Sequence, residues 1–340
     1  MESLFKIKSP SGEAELYGIE RPRAIGFILF VHGLNSSPVI WGNERSGFIS
    51  KFYQKGFNCY ALQLSDTIHG YIYEMADYEL APSFNFIIER NNSKSGVIIA
   101  HSMGGMITRY FLDEDESHPN HSVEDIRSNN YLKAIALLAV PNHGIAMKKT
   151  SYRMLDAEDQ EKTQNNGKTF IDRLKEDPLK ELREYPLKEK LAFLFNPDRI
   201  INADKFIELT KMAFWQLKFD SAIVLSLNDR LSANLWPELC WINLIGTKDF
   251  VVEPETAKFL EQEVLFLNNF NQKEFEVTHM KNPLRILSKA IPSKIPEQDR
   301  RTIEDSLAKY APIVKYVLLP PIYADKEVEN YLLQKILPLF

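Results

Sequence analysis

A single serine stands where an apolar run changes into a helical pattern. In "VIIAHSMGGMITRYFL", residues 97–112, four apolar residues lead into His101 and Ser102, and two glycines follow. A turn between a strand and a helix exposes a serine hydroxyl for nucleophilic attack, but it closes only if the residues two before and two after the serine are small. Ala100 and Gly104 meet that requirement. The following helix N-terminus would favour developing negative charge, so Ser102 is a candidate nucleophile.

The flanking sequence has the elements that such a turn requires. Apolar runs at residues 24–33, 95–100 and 131–140 predict strands that are buried on both faces, and runs at 239–252 and 273–279 predict two more. Stretches with a helical apolar period lie between the early strands. This alternation predicts an α/β fold with a mostly parallel central sheet and helices on both faces.

The chain changes character in its middle and at its end. Residues 147–226 are rich in charge and poor in strand-like runs, which predicts a helical cap or lid inserted into the core. The alternative is that these helices only broaden the core. The predicted core is then residues 1–146 and 227–282, and residues 283–340 are expected to form a helical C-terminal extension packed on it.

Bulk properties limit the class of protein. With 340 residues, of which 44% are hydrophobic, the chain can bury a large core, and a net charge of −5 argues against a nucleic-acid partner. Two cysteines, Cys59 and Cys240, are too few for a disulfide framework and are expected to be buried thiols. The N-terminus has charges where a signal peptide needs an apolar run, and no transmembrane run occurs. We therefore expect a cytoplasmic protein that touches a membrane surface at most transiently, and we predict no oligomeric state.

Two segments together point to a known family. The segment "AHSMGG" and the segment "FVHGLNSSPVIWG", residues 30–42, resemble the α/β-hydrolase superfamily and within it the lipase and esterase branch. "VPNHG", residues 140–144, is similar to the segment that such enzymes place after the strand following the nucleophile. Ala100 departs from the glycine usual in the serine motif, a substitution that some lipases also carry. The resemblance covers about residues 24–145 and 220–282 and implies an α/β-hydrolase fold.

The resemblance also implies the chain order of a catalytic triad, in which an acid and then a histidine follow the serine. His279 is the histidine that follows the middle insertion, at the end of the last strand-like run, and is the expected general base. Asp249 lies three residues after Gly246, at the carboxyl end of a buried strand, where catalytic groups gather in α/β sheets. It is the expected acid, and the alternative is a turn-forming aspartate.

The remaining expectations concern the oxyanion hole and the pocket. The backbone N–H groups of Met103 and Leu34 are expected to hold the oxyanion, Leu34 by family resemblance. Ligand pockets are mostly apolar, so aromatic residues of the insertion and its surroundings are candidate walls. The predicted lining residues are Trp41, His143, Phe214 and Trp215. The aromatic residues of the insertion could equally form its own core.

The resemblance implies hydrolysis of carboxylic esters, with lipid or acyl-chain esters as the expected small-molecule substrates. An acyl-thioesterase, an acyltransferase and a catalytically silent binding protein with the same fold stay open as alternatives. No cofactor is expected. No metal is expected either, because no histidine, cysteine and aspartate residues have metal-ligand spacing, and no glycine-rich phosphate loop is present.

Overall fold

Eight strands form one sheet in the order β1-β2-β4-β3-β5-β6-β7-β8. The first two pairs in this order, β1–β2 and β2–β4, are antiparallel, and the other five pairs are parallel. The predicted α/β fold with a mostly parallel sheet is therefore confirmed. The strands are β1 (Glu2–Ser9), β2 (Gly12–Ile19), β3 (Phe27–Val31), β4 (Asn58–Gln63), β5 (Gly96–His101), β6 (Leu132–Leu138), β7 (Cys240–Gly246) and β8 (Asn269–Phe275).

The structure is a computed structural model. It describes residues 1–34, 36–65, 67, 70–145, 216–217, 221–249, 252–279 and 320–340. All of these residues fall within one compact unit. Most of the predicted cap, residues 147–226, lies outside the described residues, as do residues 283–319 of the predicted C-terminal extension.

The central strands are apolar throughout because both faces of the sheet are covered. All five residues of β3 are fully buried, and alternate side chains enter different cores. Phe27, Leu29 and Val31 belong to one core, and Ile28 and Phe30 belong to the other. A strand with this surrounding has no solvent-facing side, which explains its continuous apolar run.

Helices cover the two faces unequally. The first face is covered by most of the helices that follow β4, while the second is covered by the helix after β3 and by the last helix of the chain. The helices are α1 (Gly47–Gln54), α2 (Ile72–Met75), α3 (Ala81–Arg90), α4 (Met103–Phe111), α5 (Val123–Ser128), α6 (Ala222–Asp229), α7 (Leu231–Asn234), α8 (Pro254–Ala257) and α9 (Lys326–Ile336). A π-helical turn, Ala76–Leu80, joins α2 to α3.

The edge strand β8 differs from the sequence prediction. It begins at Asn269, four residues before the predicted start, and six of its seven residues are exposed or half-buried. An edge strand with solvent on one side has no need of an apolar run, so its polar first half gave no signal. The strand ends at Phe275, and His279 follows it by four residues.

The end of the chain packs on the sheet and pairs with the segment that follows β8. Val328, Leu332 and Ile336 of α9 are fully buried in the second core. Before α9, the backbone N–H of Thr278 donates to the Pro320 carbonyl at 3.1 Å, and the N–H of Ile322 donates back to Thr278 at 2.9 Å. The segment that carries His279 is thus paired with a segment more than forty residues further along the chain.

The structure bears on the two cysteines and on the expected absence of a membrane-spanning helix. Cys59 and Cys240 are both buried free thiols, as predicted. Among the described residues, no helix has the length and apolar character needed to cross a bilayer.

Candidate active site

Ser102 occupies a strained turn between β5 and α4. Its backbone has φ 55° and ψ −129°, a conformation that side-chain-bearing residues rarely adopt. The turn leaves no room for a side chain at the second and third residues after Ser102. A Cβ atom on Gly104 would lie 2.6 Å from the His32 carbonyl oxygen, and one on Gly105 would lie 2.2 Å from a methyl group of Val140. Glycine therefore allows α4 to approach the sheet closely, and the sequence signal at this turn has a steric cause.

The structure brings Ser102, His279 and Asp249 together. Nε2 of His279 lies 2.9 Å from Oγ of Ser102, and Nδ1 of His279 lies 2.7 Å from Oδ2 of Asp249. All three residues are 5–6% exposed. Because a carboxylate only accepts, Nδ1 donates its hydrogen to Asp249, which leaves Nε2 as the acceptor for the serine hydroxyl. This arrangement can remove a proton from Ser102.

The carboxyl ends of three parallel strands supply these residues. Ser102 follows β5 directly, Asp249 follows β7 by three residues, and His279 follows β8 by four. Parallel strands end at the same edge of a sheet, so residues far apart in sequence meet there. Asp249 is held in its turn because its Oδ1 accepts from the Val252 N–H at 2.8 Å, while its own N–H donates to Gly246.

His101 holds the segment that carries the imidazole. Its Nε2 donates to the backbone carbonyl of His279 at 3.1 Å, and the two rings lie 4.5 Å apart. The Tyr323 ring packs edge-on against His101 at 5.1 Å. Burial, together with the nearby His279, lowers the pKa of His101 well below its usual value. His101 is therefore a neutral donor.

The loop after β3 lies directly over Ser102. A Cβ atom on Gly33 would lie 2.6 Å from Cβ of Ser102 and 3.1 Å from its Oγ. Within the described part of the chain, the backbone N–H groups of Leu34 and Met103 make no hydrogen bond. Met103 is the first residue of α4, where an N–H has no acceptor within the helix. Within the described residues, the residue after Ser102 and the loop that lies over it therefore each carry an N–H group without a hydrogen-bond partner.

His32 fixes this loop through both ring nitrogens. Its Nδ1 donates to the Gly33 carbonyl at 2.9 Å, and its Nε2 accepts from the Leu64 N–H at 3.2 Å. Burial lowers the pKa of His32 to about 4. The ring is therefore neutral at physiological pH, in the one tautomer that satisfies both bonds.

Of the four predicted pocket residues, Trp41 and His143 lie within the described residues, in different surroundings. Trp41 is fully buried in the second core, where its ring lies tilted against that of Phe30 at 5.1 Å. His143 is partly exposed, and its Nε2 lies 3.3 Å from a carboxylate oxygen of Glu263. Within the described residues, neither side chain makes a hydrogen bond with Ser102. Phe214 and Trp215 lie outside those residues.

A buried arginine that sequence reasoning missed braces the "VPNHG" segment. Arg109 on α4 is fully buried, and its guanidinium donates to the Asn142 carbonyl at 3.2 Å and to Oδ1 of Asn234 at 3.0 Å. It also donates to the carbonyl of Leu227 and to the side chain of Asn228. Burial lowers the pKa of Arg109 to about 9. Its charge within an otherwise apolar helix face was the available sequence signal.

Comparison with known proteins gives a family match. A family model described as alpha/beta hydrolase fold matches residues 26–280. A comparison with curated proteins finds no match. The chain is similar in structure to an esterase from Pyrococcus furiosus, with 14% identity, 88% of this chain and 89% of that chain covered, and a TM-score of 0.46.

Two further solved structures show the same level of similarity. A lipase from Bacillus licheniformis has 15% identity over 76% of this chain and 89% of its own, with a TM-score of 0.44. Naproxen esterase from Bacillus subtilis has 15% identity over 85% of this chain and 90% of its own, also with a TM-score of 0.44.

Proposed function

The chain belongs to the α/β-hydrolase fold family, and on that premise we propose that it is a serine hydrolase that cleaves carboxylic esters through an acyl-enzyme. The observation that carries this proposal is the continuous line of hydrogen bonds from Ser102 through His279 to Asp249. Fold alone does not imply an activity. The mutual geometry of a nucleophile, a base and the residue that orients the base does support one.

The proposed first step is attack by Ser102. Its Oγ bonds to the ester carbonyl carbon while Nε2 of His279 takes the hydroxyl proton. The electron pair of the carbonyl double bond moves to oxygen, and the backbone N–H groups of Met103 and Leu34 stabilise this oxyanion. The tetrahedral intermediate then collapses, and His279 gives its proton to the leaving alcohol. The acyl group stays on Ser102.

Water completes the proposed cycle by the same route. His279 removes a proton from water, the hydroxide oxygen bonds to the acyl carbon, and the Ser102 oxygen leaves with the proton from His279. The Asp249 carboxylate keeps the imidazole in the tautomer that both steps need, and it stabilises the imidazolium formed in each. The net reaction is ester plus water to carboxylic acid plus alcohol, and it requires no cofactor.

The proposed substrates are lipid or acyl-chain esters, and this finer assignment rests on the sequence. The aromatic residues Phe214 and Trp215 belong to the insertion and are the proposed apolar wall. Nitrophenyl esters of increasing chain length test the assignment, since an acyl pocket predicts a higher kcat/KM for octanoate than for acetate. A strong preference for acetate would contradict it. Matched thioesters and product analysis with an acceptor alcohol distinguish the thioesterase and acyltransferase alternatives.

Labelling with a fluorophosphonate tests the central proposal. The folded chain is expected to react at one site, which peptide mapping should place at Ser102, and heat-denatured protein should not react. The variant Ser102→Ala should lose the label. Ser128→Ala, which removes an exposed hydroxyl at the end of α5, is the matched control and should keep it. Folded protein that takes up no label would favour a binding protein with the same fold.

A further inference from the structure

A second group of reactive side chains lies apart from the triad. Asp77 belongs to the π-helical turn between α2 and α3, and His118 and His121 belong to the segment between α4 and α5. One potential metal-ligand atom from each of the three residues lies within 4.8 Å of the others. The side chains of Asp77 and His118 are 6% and 2% exposed. π-helical turns are rare and occur often at functional sites.

In both His118 and His121, the ring nitrogen Nε2 is bonded to a backbone carbonyl. Nε2 of His118 lies 2.9 Å from the Asp113 carbonyl oxygen, and Nε2 of His121 lies 2.8 Å from that of Phe111. A carbonyl oxygen only accepts, so both Nε2 atoms carry hydrogen and the Nδ1 atoms face the cluster. Histidines that bind metals are usually oriented in this way, with the second ring nitrogen donating to a carbonyl or carboxylate.

The two Nδ1 atoms, which face the cluster, have different surroundings. Nδ1 of His118 lies 2.7 Å from Oδ1 of Asp77, so this bond holds one hydrogen between them. Nδ1 of His121 is buried and has no hydrogen-bond partner within the described residues. An unpartnered buried acceptor costs free energy, and a cation in the cluster would satisfy it. The same cation would take the place of the hydrogen on His118.

The cluster is also held in place by its neighbours. The side-chain amide of Asn120 donates to the backbone carbonyl of Asp77 at 2.8 Å, which fastens the histidine segment to the π-helical turn. The rings of His118 and His121 lie 4.4 Å apart, and the Phe111 ring stacks on His121, also at 4.4 Å. Ligands whose rotamers are fixed by packing lose little freedom when an ion binds.

We propose that Asp77, His118 and His121 bind one divalent transition-metal ion, through an aspartate oxygen and the two Nδ1 atoms. Two imidazoles and one carboxylate form a donor set that suits zinc. Water would fill the fourth position of a tetrahedral site. Ligands at zinc distances lie about 3.3 Å apart, so small side-chain rotations are enough to close the cluster. None of the triad residues takes part.

The sequence analysis missed this site for an identifiable reason. His118 and His121 are three residues apart, but Asp77 lies about forty residues earlier in the chain. Only the packing of the α4–α5 segment against the π-helical turn brings the carboxylate to the histidines. The proposed ion would join these two segments, so binding should stabilise the folded chain.

Zinc binding by the full chain tests the proposal. Protein freed of metal by a chelator is titrated with zinc in competition with a chromophoric chelator, and the bound metal is counted by mass spectrometry. We expect one zinc per chain, and an affinity at least about 10-fold weaker in His121→Gln and in Asp77→Asn. Asp115→Asn removes an exposed carboxylate in the same segment and is the matched control. It should bind zinc as the unmodified chain does.

Two further measurements test the proposal even if one of the variants does not fold. Cobalt added to the unmodified chain should give the intense visible bands of a tetrahedral site, and zinc should remove them. Zinc should also raise the thermal midpoint of the unmodified chain and of Asp115→Asn, but not that of folded His121→Gln. The proposal is overturned if less than a tenth of an equivalent binds, or if His121→Gln binds as tightly as the unmodified chain. Binding that is lost only in His279→Gln would place the ion at the triad and would also overturn it.

Discussion

Nε2 of His101 donates to the backbone carbonyl of His279 at 3.1 Å, so the residue before the proposed nucleophile holds the segment of the proposed base. This bond spans 178 residues of sequence. It links the position of the imidazole to the same turn that sets the position of Ser102. Two groups that must stay within hydrogen-bond distance are therefore fixed from one short stretch of backbone.

The variant His101→Phe removes this donor and keeps an aromatic ring. Because the His279 carbonyl would lose its partner and its segment could shift, we expect kcat for a nitrophenyl ester to fall about 10- to 100-fold. His101→Gln can place an amide N–H near the lost Nε2 and should retain most of the activity. A kcat for His101→Phe equal to that of the unmodified chain, with KM unchanged, would show that the bond has no positioning role.

The variant Asp249→Asn tests the orientation of His279. An asparagine amide can donate to Nδ1, which would turn the imidazole into the wrong tautomer while the volume stays the same. We expect kcat to fall by roughly 10⁴-fold with little change in the unfolding midpoint. Steady-state kinetics and urea unfolding on the same preparation check both parts. A loss of less than about 10-fold would assign the acid to another residue.

The variant Gly33→Ala tests how closely the loop after β3 approaches Ser102. The added Cβ would lie 2.6 Å from Cβ of Ser102, so the loop and its Leu34 N–H must move. Displacement of one oxyanion donor should lower kcat by about 10²- to 10³-fold. Gly96→Ala is the matched control, since its Cβ would meet the Phe27 ring at 2.3 Å, in the core. It should lower stability and leave the kcat of the folded fraction unchanged.

His32 makes the stability of the fold depend on pH. Its pKa is about 4 when buried and about 6.5 in an unfolded chain, so the unfolded state binds more protons between these values. The free energy of unfolding should therefore fall as the pH drops through this window, by about 3 kcal/mol from His32. His101 acts in the same direction, since burial also lowers its pKa.

Urea unfolding across pH 4 to 7 measures this dependence. The variant His32→Gln should be less stable at neutral pH and should show a shallower slope between pH 6.5 and 4. Ile99→Val, which destabilises the buried strand β5 without removing a titrating group, is the control and should keep the slope of the unmodified chain. Equal slopes in all three proteins would rule out a contribution from His32.

The variant Arg109→Lys tests the buried arginine. A lysine cannot reach the same set of acceptors, so carbonyl and amide oxygens around Asn142 and Asn234 would lose their donors. We expect the free energy of unfolding to fall by about 3 kcal/mol. The half-exposed Arg127 pairs with Glu114 and Glu238, and Arg127→Lys should cost less than about 1 kcal/mol. Similar losses in the two variants would contradict the assignment.

Several features of the fold and the site could be read from local sequence. The apolar run of β3 indicated a strand with two covered faces, because every one of its residues is buried. The small residues around Ser102 indicated a tight turn, because a Cβ atom at Gly104 would meet backbone. Edge strand β8 was placed four residues late, because a half-exposed strand needs few apolar side chains.

Aromatic residues near the site carried less information. Trp41 lies in the second core against Phe30, although its position after the "HGLNSS" segment also suited a pocket wall. Both places require a large apolar side chain, so residue type does not separate them. Only the packing of the 3₁₀ turn Pro38–Trp41 places Trp41 in the core.

The sequence by itself determined the buried central strands and the tight turn at Ser102, because backbone sterics and side-chain burial act between near neighbours. The order of the candidate triad came from the family resemblance. Tertiary structure alone decided that His101 donates to His279, that Arg109 braces Asn142, and that Asp77 meets His118 and His121. Each of these bonds joins residues more than thirty positions apart. Their geometry depends on how whole helices and strands pack, which no local pattern encodes.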